Sequence, residues 1–177
     1  TLDSEAAEPA ESRGSLSEVE SRLTPMAAHL KGEFLRAANG GKLEELERLH
    51  AELISAGSRS VDFTNRNGET ALMWAARCGH VEVVKKLLEW GNPKKLMRTN
   101  NMGYGAIHHA ALKGEQECVR LLLEAGYDIN SKTEDPERLT AEGLARRHGF
   151  EDLADWLAGY PSLLTKSAAG PASTNTE

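Results

Sequence analysis

The chain has 177 residues, 40% of them hydrophobic, 27% charged and 5% aromatic, enough apolar material for one domain of ordinary size. No apolar run approaches the roughly 18 to 20 residues of a membrane-spanning helix, and the opening TLDSEAAEPAESRGS is acidic where a secretory signal is basic and then apolar, so membrane-inserted and secreted classes are disfavoured. Of the net charge of -6, five charges fall in residues 1–20, where Asp3, Glu5, Glu8, Glu11, Glu18 and Glu20 face Arg13 alone, so the body of the chain is nearly neutral.

Residues 1–14 offer Leu2 as their single large apolar side chain and are expected to be a disordered acidic tail, because they bury too little to offset the entropy of ordering. Residues 15–27 form an N-terminal capping region: Ser15 and Glu18 make a capping box, and Leu16, Val19 and Leu23 mark a short helix expected to stop before Pro25. Thr24 then caps a new helix with Pro25 at its first position, carried by Met26, Leu30, Phe34, Leu35 and Ala38 and ended by Asn39, Gly40 and Gly41. Leu43, Leu46 and Leu49, spaced by Glu44, Glu45, Glu47 and Arg48, begin a second amphipathic helix at once.

From Gly68 onward the chain repeats itself. A shift of 35 residues aligns Gly68–Gly91 with Gly103–Gly126 at 11 identical positions of 24, where chance gives about one or two. Gly68/Gly103 and Gly91/Gly126 punctuate loops, Ala71/Ala106, Ala75/Ala110 and Ala76/Ala111 keep one helix thin, and Gly79/Gly114 break it. Val84/Val119, Leu87/Leu122 and Leu88/Leu123 give the second helix an apolar stripe, with Glu82/Glu117 and Glu89/Glu124 outside it. The same step carries Ala110 to Ala145 and Gly114 to Gly149, and a step of 38 back from Ala75, Ala76 and Gly79 reaches Ala37, Ala38 and Gly41. Four helix–turn–helix units follow, about 28–64, 65–99, 100–134 and 135–160, with residues 161–177 as a second disordered tail.

The run from Gly68 to Glu89, with Thr70-Ala71-Leu72-Met73 and Gly79-His80, closely resembles an ankyrin repeat, as does Leu121-Leu122-Leu123-Glu124-Ala125-Gly126-Tyr127-Asp128-Ile129-Asn130 as the close of a unit. The resemblance covers residues 28–160 and implies an all-α ankyrin-repeat solenoid. Ala71 and Ala106 stand where the family has proline, Met73 where it has histidine, and Gly105 where it has threonine, departures expected to weaken the hydrogen-bond ladder between units. Unit one carries an insertion around Ala51–Ser60, unit two has Asn92-Pro93-Lys94-Lys95 for the usual turn, and unit four, with Arg146, Asp152 and Asp155, reads as a cap.

Because each unit buries its core on its neighbours, and the thin helices all lie on one side, the stack should curve. The resemblance implies protein binding along the concave groove by loop tips and first helices. Carried over by position, that surface holds Lys31 and Asn39 of unit one, Arg66, Asn67, Glu69, Arg77 and Cys78 of unit two, Asn101, Met102, Tyr104, Leu112 and Lys113 of unit three, and Glu137, Leu139, Arg147 and His148 of unit four. Met102, Tyr104, Leu112 and Leu139 read as exposed apolar anchors rimmed by Arg66, Arg77, Lys113 and Arg147, which suits an acidic partner segment with apolar side chains. The competing interpretation is scattered surface residues of no consequence.

Cys78 and Cys118 lie 40 residues apart with no CxxC spacing, so neither a disulfide framework nor a zinc site is written in the chain, and an intracellular compartment, cytoplasmic or nuclear, is expected. A targeting segment removed before Thr1 is compatible with this. His108 and His109 are adjacent on a helix and point about 100° apart, so they do not chelate one ion; His108 falls on the family's structural histidine, which implies a hydrogen bond to neighbouring loop backbone. Cys78 and His80 flank Gly79 without an orienting third group. Cys118 fits a buried small hydrophobe, and Trp74, Trp90 and Trp156 fit packing better than base stacking. No metal, cofactor or nucleic acid is expected. The expectation is a non-enzymatic, monomeric protein-interaction module, an adaptor, scaffold or inhibitor; the alternatives are the regulatory ankyrin piece of a larger enzyme or channel and, third, a hydrolase using Cys78 and His80.

Overall fold

In the computed structural model the described residues are 16–168 without 59, 60, 93, 94 and 96, with side chains described between 28 and 160. Residues 1–14, the Ser15 cap, the Pro93-Lys94 turn and residues 169–177 lie outside the described residues, whereas residues 161–168, expected to open the second disordered tail, continue the last helix. Among the described residues eight helices follow one another with no strand: α1 Leu16–Asn39, α2 Leu43–Ser55, α3 Ala71–Arg77, α4 Val81–Trp90, α5 Ala106–Ala111, α6 Gln116–Glu124, α7 Ala141–Arg147 and α8 Glu151–Ala168. Each odd-numbered helix pairs with the next in a hairpin; α1, α3, α5 and α7 pack in sequence as one layer, with α2, α4 and α6 beside one another as a second.

The two layers differ in composition for a packing reason. In α3 and α5 nearly every side chain is buried, and alanines at 71, 75, 76, 106, 110 and 111 let neighbouring helices approach closely. The second-layer helices bury one stripe only, Val83, Val84 and Leu87 in α4, then Cys118, Val119, Leu122 and Leu123 in α6. Their outer faces carry short-range pairs such as Lys85–Glu82, Arg48–Glu52 and Arg120 with Glu117 and Glu124, which solvent screens to small contributions.

The hairpin turns show why glycine recurs. Gly79 and Gly114 have φ of +71° and +75°, and a Cβ on either would run into a side chain of the next unit, Glu115 and Phe150 respectively. Both the left-handed conformation and the close approach require the residue.

Two expectations need correcting. The helix stop before Pro25 and the fresh N-cap at Thr24 are replaced by one continuous helix from Leu16 to Asn39. Proline removes a single N–H bond and bends a helix locally, and the helix-forming stretches on both sides carry it through. The insertion around Ala51–Ser60 is taken up in part by helix: α2 has 13 residues against 10 in α4.

Unit four ends the stack with polar surface. Arg146 reaches Glu142 at 2.6 Å and Asp155 at 3.3 Å, and Asp152 is exposed. Its α8, at 18 residues, is twice the length of α6.

Candidate protein-binding surface

The loop tips are built on two asparagines. Asn65 Oδ1 accepts from the backbone N–H groups of Asn67 and Glu69, both at 2.9 Å, while its own N–H donates to Glu69 O at 3.0 Å. Thirty-five residues on, Asn100 Oδ1 accepts from Met102 N at 3.0 Å and Tyr104 N at 2.9 Å in the same closed turn. These Asx-type turns hold the tips without a sheet. The two tips are then tied together: Asn101 N donates to Asn67 O at 3.0 Å and Asn101 Nδ2 to Arg66 O at 3.1 Å. Asn65 and Asn100 were not among the residues singled out from sequence, although the shared Asn-x-x-Gly spacing at the 35-residue step is the signal that marks them.

In unit four the tip is longer. Thr133 N donates to Leu139 O, six residues on where the earlier tips span four, and Asp135 Oδ1 accepts from the N–H groups of Glu137 and Arg138. Arg138 takes a φ of +48° to close it. The longer loop brings Asp135 Oδ2 within 2.6 Å of the Tyr104 hydroxyl, which donates to it. That bond raises the Tyr104 pKa and lowers that of Asp135, with the Arg147 guanidinium nearby favouring both anions.

The predicted surface residues therefore fall into groups. Arg66, Asn67, Asn101 and Met102 share one exposed ridge of tips, with Met102 64% exposed. Arg77 lies with its guanidinium 4.3 Å from the Trp74 ring centre, a cation–π contact, and Glu69 is held through Oε2 by Asn65 Nδ2 at 2.9 Å. Lys113 and His148 are exposed. Arg147 pairs with Glu137, Lys31 sits 5.7 Å from the Phe63 ring centre, and Asn39 Oδ1 accepts from Cys78 Sγ at 3.3 Å. Of the four residues read as exposed apolar anchors only Met102 is exposed; Tyr104, Leu112 and Leu139 are half-buried, with Tyr104 and Leu139 packed against the core, because a stack of thin helices draws large side chains at its seams inward.

His108 does what the resemblance implied. Its Nδ1 accepts from Gly105 N at 3.0 Å and its Nε2 lies 2.9 Å from Ser131 O, which fixes the neutral Nε2–H tautomer with Nε2 donating. Burial lowers its pKa, and burial pushes that of His109 down to about 4. His109, read only as the other half of a non-chelating pair, is buried, within reach of Asn100 Nδ2 at 3.5 Å and in the field of Glu69 and Arg77. Cys78 and His80 both turn to the preceding unit: His80 Nε2 lies 2.9 Å from Asn39 O while Cys78 Sγ meets Asn39 Oδ1, so the two groups stitch units one and two together. Burial raises the Cys118 thiol to about 11, as suits an unreactive core position. Trp90 stacks on His50 at 4.0 Å, and Trp156 packs on Tyr160. Among the described residues no group of three or more His, Cys, Asp or Glu side chains is placed to hold a metal ion, and no helix is long and apolar enough to cross a membrane.

Comparison with known proteins agrees with this geometry. A three-copy ankyrin-repeat family model matches residues 34–133. The chain is 35% identical over 94 residues to the ankyrin repeat-containing protein ITN1 of Arabidopsis thaliana, covering 53% of this chain and 16% of that protein. It is 28% identical over 137 residues to the BCL-6 corepressor-like protein 1 of Mus musculus, covering 75% and 8%, and 28% identical over 102 residues to the palmitoyltransferase AKR1 of Candida glabrata, covering 56% and 13%. The chain thus spans less than a fifth of the length of each of these relatives. Ankyrin repeats are protein-interaction modules and are generally non-catalytic. Built from stacked hairpins with bonded tips and matched by the family across its inner units, this chain belongs to the ankyrin-repeat family.

Proposed function

We propose that this chain acts by binding rather than catalysis, holding a segment of a partner protein along the tips of units two and three and the adjoining inner helices, as an adaptor, scaffold or inhibitor. The observation that carries this reading is the bonded pair of tips, Asn101 to Asn67 and Arg66. It fixes Arg66, Asn67, Asn101 and Met102 on one ridge before any partner arrives, so little ordering entropy is lost on binding. Exposed Met102 on the ridge with Arg66, and exposed Lys113 in the turn at the far end of α5, suit a segment with an apolar anchor and acidic flanks.

The test is selection of binders to the folded chain from a displayed peptide library. Enriched peptides should carry acidic residues around a large apolar one. Met102→Ala with Lys113→Glu should weaken them at least about tenfold, whereas Arg48→Glu with Lys85→Glu, on the second helix layer, should leave them unchanged. Equal loss in both pairs, or in neither, would move the site away from the tips.

A second reading is that these repeats serve as a regulatory segment within a larger enzyme or channel. It is favoured by relatives that are many times longer than the matched region, palmitoyltransferase AKR1 among them.

A further inference from the structure

Between units one and two the inner layer does not close. Leu35, Arg36 and Asn39 of α1, Asn65 of the unit-two tip and Trp74 of α3 line a cavity of about 80 Å³, about half of the ~150 Å³ that admits benzene and of the size of a branched aliphatic side chain. Trp74 and Arg36 occupy equivalent places in their units, and Asn39 is equivalent to Arg77, so the cavity opens among the residues that face away from the second layer. At the next seam the position of Trp74 is taken by His109, which is buried.

Two observations give the cavity a ligand chemistry. The Trp74 indole N–H is buried with no hydrogen-bond partner, and a buried donor left unpaired favours an acceptor that can reach it. Two cations border the cavity: Arg36 lines it while also pairing with Glu33 at 3.3 Å, and Arg77 lies on the Trp74 ring; the Glu69 carboxylate is held by Asn65 at 2.9 Å.

We infer that this cavity is the anchor pocket for a partner segment, taking one leucine-like side chain from an acidic stretch, with a backbone carbonyl or carboxylate oxygen of that stretch accepting from the edge of the Trp74 indole. This rests on the binding role proposed above and extends it from the tips of units two and three to the seam of units one and two. Arg77 is the second recognition group: it meets the face of the Trp74 ring in a cation–π contact, and an anionic segment offers its guanidinium a charged partner as well.

The test uses the full chain labelled with 15N and three synthetic peptides, Ac-EDELDE-NH2, its Leu→Ala form and Ac-KKKLKK-NH2. The chain has three tryptophans, so three indole N–H signals are followed, that of Trp74 being assigned by its loss in Trp74→Phe. The leucine peptide should move the Trp74 indole proton downfield and bind about tenfold more tightly than the alanine form. Arg36→Glu, at an exposed position, should weaken it severalfold, and the lysine peptide should not bind. Equal affinity of the leucine and alanine peptides, or leucine-peptide shifts confined to units three and four, overturns the pocket while leaving partner binding at the tips intact. Absence of any shift with all three peptides also overturns the pocket, and the library selection then decides the tips independently.

Discussion

Units two and three share a sequence pattern yet secure their inner helices by different means. In unit two Thr70 is the N-cap, its hydroxyl accepting from Met73 N at 3.2 Å, and Met73 fills the core without a polar bond. In unit three Gly105 has no side chain to cap with, and His108, at the place of Met73, takes over: it accepts from Gly105 N and reaches on to Ser131 O in the loop that leads to the next tip. The expected weakening of the ladder is thus distributed rather than uniform. Unit two keeps its cap and gives up the bond forward; unit three gives up the cap and keeps the bond forward. The lesson is that a repeat position is defined by the work its neighbours leave undone.

The sharpest way to break this comparison is to make the two positions alike. His108→Leu leaves the Gly105 N–H and the Ser131 carbonyl without their partner in a buried seam, and should cost about 3–4 kcal/mol in urea denaturation. Met73→Leu, nearly isosteric and with no polar bond to lose, should cost less than about 1.5 kcal/mol. Equal costs would mean that the forward bond contributes nothing.

A second contrast lies one residue further on. His109 is buried neutral where unit two has Trp74 and unit four Leu144. Its folded pKa of about 4 lies below the unfolded value near 6.5, so the unfolded chain binds the proton more readily. The site's full contribution to stability is therefore present above about pH 6.5 and is lost as pH falls toward 4, by up to about 3 kcal/mol. His109→Leu, copying unit four, should flatten the dependence across that window. Denaturation midpoints measured from pH 7 to pH 4.5 for both proteins would expose an unchanged slope, and with it a ring already charged in the fold.

Much of the architecture was legible because stacked repeats write their contacts into a fixed period: Ala75/Ala110 and Gly79/Gly114 needed no long-range information. Asn65 and Asn100 were equally legible, lying at the same step, but just outside the stretch compared. Other features were not. The passage of α1 through Pro25 depends on the helices flanking the proline. The Tyr104–Asp135 bond depends on a tip two residues longer than its predecessors, and the Trp74 cavity on how α1 meets α3. Exposure of the surface residues was misjudged for the same reason, since whether Leu112 and Leu139 reach solvent is decided at a seam between units.

Smaller effects sharpen the comparison. Tyr104→Phe removes the hydroxyl bond from Tyr104 to Asp135 in the unit-four tip and should cost about 1–1.5 kcal/mol at neutral pH. Thr70→Ala removes the unit-two cap and should cost about 1 kcal/mol. Each is read from urea midpoints, and hydrogen exchange should place the first loss in units three and four and the second in unit two. Loss spread evenly over the stack in both cases would show that the units are not separable.

The smallest expected effect has the opposite sign. Gly105 has φ -88° and ψ 174°, an extended backbone that any residue adopts, and a Cβ there would meet only His108 Nδ1 at 3.6 Å and Arg98 O at 3.7 Å, ordinary contacts. Glycine is therefore not needed for shape, and the flexibility it gives the unfolded chain is stability forgone. Gly105→Ser should set a hydroxyl before α5 in the place that Thr70 holds before α3 and Thr140 before α7, accepting from His108 N as they do from Met73 N and Gly143 N. The Gly105 N–H remains free to keep its bond to His108 Nδ1. Unit three would then hold both devices at once, and the chain should gain about 0.5–1 kcal/mol. If cap and histidine instead compete for the same first turn, the gain vanishes and the His108 ring shifts, visible as a changed imidazole resonance. The division of labour between units two and three would then reflect a steric exclusion rather than two independent solutions.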